Sequence, residues 1–67
     1  MQNGKINRLV RDKGFGFIDG SDGHSYFFHV SELNEGQQLE DLAEGDPVVY
    51  NTKESPKGPR AFAVQRA

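Results

Sequence analysis

The chain has no cysteine and no tryptophan among its 67 residues. Without cysteine there is no disulfide to staple a small fold, and no thiolate to act as nucleophile or zinc ligand. His24 and His29 are the only histidines, and two scattered imidazoles do not make a metal site. Long apolar runs are missing as well. Stretches such as Tyr26-Phe27-Phe28 fall far short of the roughly 20 apolar residues that cross a bilayer, or of a signal-peptide core. A soluble, cytoplasmic protein is expected. A chain of this length has room for one domain, residues 1–67, with a small core, which argues against an enzyme built round a deep enclosed pocket.

Charge is scarce in one sign and uneven in place. The formal net charge is −2, where phosphate binding usually goes with a basic balance. Residues 1–30 carry Lys5, Arg8, Arg11 and Lys13 against three acids, and residues 53–67 carry Lys53, Lys57, Arg60 and Arg66 against Glu54 alone. Residues 31–52 hold six acids and no Lys or Arg. Both flanks are therefore basic and the middle is acidic, either as an ordinary solvated surface or as a cationic site facing away from an acidic one.

Short segments rich in β-branched and aromatic residues alternate with Gly, Pro, Asp and Ser clusters, which predicts a small all-β domain. Five strands are expected, near 5–11, 14–20, 24–29, 46–53 and 60–66. Asp19-Gly20-Ser21-Asp22-Gly23 reads as the turn of a hairpin between the second and third. In Glu54-Ser55-Pro56-Lys57-Gly58-Pro59 the prolines cannot donate to a ladder, so it reads as a loop. From Ser31 to Gly45 the chain reads as a long polar connection anchored by Leu33, Leu39 and Leu42, with one helical turn at Ser31-Glu32-Leu33. A free sheet of this size would leave edges open, and closure removes them. A five-stranded antiparallel barrel of the oligonucleotide-binding type is favoured; an SH3-like barrel has similar size and strand number.

Alternation along a strand puts Phe15 and Phe17 on one face, with Gly16 and Ile18 on the other. At ~3.3 Å per residue the two rings stand roughly 6.5 Å apart, a span that one unstacked nucleotide step can match. A strand phenylalanine is ordinarily core. Here the next strand offers large apolar groups on both sides: Tyr26 and Phe28 share one face, Phe27 and His29 the other. With Ile18, Tyr26 and Phe28 inside, Phe15, Phe17, Phe27 and His29 are left outside, and a contiguous exposed aromatic patch marks a binding surface. Lys13 lies beside it, where a cation can meet phosphates.

Lys13-Gly14-Phe15-Gly16-Phe17-Ile18 resembles the first ribonucleoprotein motif of the bacterial cold-shock protein family, and Tyr26-Phe27-Phe28-His29-Val30-Ser31 resembles its second. Gly4-Lys5-Ile6 and Glu54-Ser55-Pro56-Lys57-Gly58-Pro59-Arg60-Ala61 are similar to flanking segments of that family. The resemblance covers essentially the whole chain. It implies a barrel that holds single-stranded RNA or DNA and acts as an RNA chaperone; a monomer is expected. The stacking positions it implies are Phe15, Phe17, Phe27 and His29, with Lys13 as the basic residue before the first motif. Where the family usually has lysine, tryptophan and phenylalanine in strand one, this chain has Asn7, Arg8 and Leu9. Arg8 can stack its guanidinium on a base while adding charge. Val30 replaces a family aromatic, Gln37-Gln38-Leu39 offers no loop aromatic, and Val10 and Ser25 stand at usual base-contacting positions. A shorter or weaker site than in a typical member is expected.

Phosphate contacts are expected from Lys5, Lys13, Lys57 and Arg60, in addition to the charge of Arg8. A protein-interaction module using the same face is the competing reading. No catalytic residue, cofactor, metal or membrane contact is expected. His29 is a conceivable base, but no serine or acid is placed by motif to complete a triad, and a shallow face excludes little water.

Overall fold

The computed structural model describes residues 1–67. Its five strands are β1 (Gln2–Val10), β2 (Phe15–Gly20), β3 (Ser25–His29), β4 (Pro47–Lys53) and β5 (Arg60–Arg66). They close into a barrel in the order β1-β2-β3-β5-β4. Four ladders are antiparallel, and β3 meets β5 in parallel at the single pair Phe27 and Arg60. The expected strands are present with small shifts. β1 begins at Gln2 because Gln2 to Lys5 pair with Tyr50 to Pro47 of β4, a ladder whose polar residues give little apolar signal. Between β3 and β4 lie two single 3-10 turns, Val30–Glu32 and Leu39–Asp41. The first falls one residue before its expected place and the second was not expected.

The interior is filled by a few large side chains. Ile18, Phe28 and Tyr50 are fully buried, Tyr26 nearly so, and Leu39 and Leu42 plug the barrel from the long connection. Leu33 packs against the same core. Asp22 caps the β2–β3 turn: its Oδ1 accepts from the His24 amide at 3.0 Å and its Oδ2 from the Tyr26 hydroxyl. That hydroxyl bond, aided by burial, raises the Tyr26 phenol from the ordinary 10.0 to about 12.

Regular alternation would place Ile6 and Arg8 on the same face. The β1–β2 register instead runs from Ile6 opposite Ile18 to Arg8 opposite Phe17, so Asn7 is an extra residue in a β-bulge. Ile6 therefore stays in the core while Arg8 turns outward, and the Asn7 amide donates to Asp19 at 2.8 Å. A second irregularity lies in β5, between the Val49–Gln65 and Asn51–Phe62 pairs, where Ala63 takes φ +53°. It lets Ala61 and Val64, three residues apart, both enter the core.

Gly16 sets how closely β2 can lie against its neighbours. It sits opposite Leu9 and Phe28 and is buried. A Cβ there would come within 2.8 Å of both the Arg8 carbonyl oxygen and the Phe28 ring. The vacancy is where the Phe28 ring folds over the strand. Gly16→Ala must displace backbone or the core ring, and a loss of about 1–3 kcal/mol in urea unfolding is expected. The Asp22–Tyr26 bond gives a pH signature. Because the folded phenol titrates higher than the unfolded one, this contribution is complete below the unfolded value and lost as pH rises through about 12. In Asp22→Asn, phenolate absorbance should show the Tyr26 midpoint moving down toward the ordinary range.

Candidate nucleic-acid interface

Cross-strand register lays out the outer surface in rows. One row runs Val10, Phe15, His29. The next runs Arg8, Phe17, Phe27, Arg60, Lys53, crossing all five strands in the order β1, β2, β3, β5, β4. A third runs Lys5, Asp19, Ser25. Directly paired residues share a face, so the aromatic centre of the second row carries a cation on each side.

The three phenylalanines are half-buried against one another. Ring centroids lie 5.9 Å apart for Phe15 and Phe17, 5.5 Å for Phe15 and Phe27, and 5.8 Å for Phe17 and Phe27. Their planes are inclined by 88°, 38° and 67° respectively, so the surface is stepped rather than flat. His29, beside Phe15, accepts at Nδ1 from the Ser31 amide at 3.2 Å, capping the turn Val30–Glu32. With Nδ1 used as an acceptor, the neutral ring carries its proton on Nε2 as a free donor.

A cleft of about 500 Å³ opens between Phe17 and Phe27 on one side and Ser55, Pro56, Lys57, Pro59 and Arg60 on the other. Its far wall is a tight turn in which the Ser55 and Gly58 backbones bond each other reciprocally at 3.0 and 3.1 Å. Pro56 presets the turn and Lys57 is held exposed at its tip. The Arg60 guanidinium lies 5.1 Å from the Phe27 ring centroid, within cation–π range.

Of the residues expected from sequence, Phe15, Phe17, Phe27, His29 and Arg8 are contiguous on this surface, and Lys57 and Arg60 border it. Lys13 is exposed in the turn leading to Phe15. Lys5 is not brought into the aromatic cluster; it lies one row away, opposite Asp19. Arg60 is not a free cation either, since Glu32 pairs with it at 3.7 Å. The sequence reading missed Lys53, Phe62 and Glu32. Lys53 Nζ lies 5.3 Å from the Phe62 ring centroid and 3.7 Å from Glu32. Pairing across the Glu54–Pro59 loop, which places Lys53 opposite Arg60, would have found Lys53; the arrival of Glu32 depends on how the long connection packs.

A closed five-stranded barrel with these two motifs side by side on its outer surface defines a nucleic-acid-binding class. The family model described as the 'Cold-shock' DNA-binding domain matches residues 2–67. Cold shock protein 2 of Lactiplantibacillus plantarum is 40% identical over 65 residues, covering 97% of each chain. Cold shock protein CspD of Bacillus subtilis is 39% identical over 64 residues, covering 96% of each. The chain belongs to the cold-shock domain family, whose members are nucleic-acid binders.

Proposed function

We propose that the chain binds single-stranded RNA or DNA in the cytoplasm by stacking unpaired bases on Phe15, Phe17, Phe27 and His29. Arg8 supplies a further stacking surface, and Lys13, Lys57 and Arg60 meet the phosphates, with Lys5 at the rim. The observation that carries this reading is the row Arg8, Phe17, Phe27, Arg60: two rings 5.8 Å apart with an arginine at either end.

Bases in a duplex already stack on each other, so only an unpaired strand offers its π-faces to protein rings. Each base–aromatic stack is worth ~1–3 kcal/mol and tolerates any base. The inclined rings hold neighbouring bases apart, which opposes refolding of the strand, the physical content of RNA-chaperone action. Stacking on rings does not read the sugar, so RNA and DNA both qualify. The surface is shallow and offers no nucleophile beside His29 other than Ser31, whose hydroxyl lies 3.0 Å from the same Nδ1 that caps the turn; we read it as a binding surface without catalysis.

Titrating a short oligopyrimidine while recording amide shifts tests the reading. Shifts should concentrate at Phe15, Phe17, Phe27 and the Ser55–Gly58 turn at low salt, and silence there would refute it. Phe15→Ala and Phe17→Ala should each weaken binding by roughly 5- to 100-fold. The stability cost should stay near the ~0.5–1.5 kcal/mol of an aromatic pair plus its partial burial. Lys13→Ala should weaken all sequences alike and flatten the fall of affinity with salt.

A further inference from the structure

Glu32 reaches the two cations at the β4–β5 end of the aromatic row. Its Oε1 lies 3.7 Å from Lys53 Nζ and 3.7 Å from Arg60 Nη2, so one carboxylate oxygen is shared between two cations. Both distances exceed hydrogen-bond length. Arg60 Nε is buried and has no hydrogen-bond partner. The guanidinium thus spans the Phe27 ring on one side and a loosely placed carboxylate on the other, with donor capacity unused. Lys53 and Arg60 are the terminal pair of the row that begins at Arg8 and runs through the two rings. A backbone leaving a base stacked on Phe27 in the direction of β5 and β4 would meet these two cations next.

Glu32 is also placed by the site itself. It ends the turn Val30–Glu32, whose cap is the Nδ1 of the stacking residue His29. The connection that follows is tied to β5 through the Leu33–Val64 bridge and through Asn34, whose backbone N–H donates to the Val64 carbonyl at 2.8 Å. This anchoring holds the carboxylate over the cations rather than leaving it in solvent.

Resting on the stacking reading above, we infer that Lys53 and Arg60 form a phosphate subsite at the β4–β5 end of the track, and that Glu32 is an intramolecular anionic competitor for it. Binding exchanges one anion for another. A phosphate oxygen can approach the guanidinium to hydrogen-bond distance and use its bidentate geometry, which the shared carboxylate at 3.7 Å does not. Partly exposed ion pairs at this separation are individually weak, so the competitor lowers affinity without abolishing it. Its effect is to penalise strands long enough to reach from Phe27 to Lys53 more than those that only occupy the rings.

The test is the affinity of purified variants for labelled oligothymidine, in two lengths that stop at or extend past the rings. Glu32→Gln should bind the longer strand roughly 3- to 10-fold tighter at low salt, with a smaller gain for the shorter strand. Glu32→Asp, which keeps the charge but withdraws it by one methylene, should give an intermediate gain. Glu40→Gln, the same charge change at an exposed position of the long connection, serves as the control and should give a smaller gain. The gain from Glu32→Gln should vanish when Lys53 and Arg60 are both replaced by alanine. Thermal midpoints of all variants report that each is folded. If Glu32→Gln binds no tighter than the parent, matches Glu40→Gln, or keeps its gain without the two cations, the competitor role is overturned while the stacking reading stands. If neither parent nor Glu32→Gln binds, both fall.

Discussion

The barrel has a single interior, and Phe28, Tyr50, Tyr26 and Ile18 take up most of it. β2 and β3 nevertheless bring large apolar groups on both faces, so one set of rings has to be left outside. Gly16 decides which set. Because it has no Cβ, the Phe28 ring can settle over the strand between Phe15 and Phe17, and the strand is fixed with its glycine and isoleucine inward. Hydrophobic burial in the core and aromatic exposure on the surface are two results of that one close approach.

The same economy explains the bulge at Asn7. A small barrel cannot hold an arginine, and its bending at β1 turns Arg8 outward beside Phe17 while leaving Ile6 and Leu9 directed at the core. Charge is then arranged by register more than by composition. A chain with net charge −2 presents cations at both ends of an aromatic row. Of the six acids in the middle segment, Asp46 turns back to Arg66 at 3.7 Å, and Glu32 reaches the row itself. The acidic segment is therefore not confined to a far side of the molecule.

Much of this was legible in the sequence, for definite reasons. Alternation in two adjacent strands assigned Phe15, Phe17, Phe27 and His29 to one face because a two-residue period survives any small error in strand ends. The Asp19–Gly23 and Glu54–Pro59 turns were legible from glycine, aspartate and proline chemistry. The bulges were not, since an extra residue such as Asn7 or the left-handed Ala63 leaves no pattern distinct from a strand end. Nor was the half-buried, inclined packing of the rings, which depends on side chains meeting across strands. Lys53 was within reach from pairing across the Glu54–Pro59 loop, whereas the contacts of Glu32 depend on how the long connection packs on β5, through the Leu33–Val64 bridge and the Asn34 bond to Val64.

The parallel meeting of β3 and β5 is the narrowest joint in the barrel, a single residue pair at Phe27 and Arg60. Every other ladder spreads its load over several pairs. On the proposed path a bound strand would lie directly across that joint, touching the ring on one side and the guanidinium on the other. The ligand would then act as a rivet over the seam. Occupancy would protect the amides of β3 and β5 from solvent exchange more than those of β1, so that the barrel is most tightly closed while it is carrying its cargo.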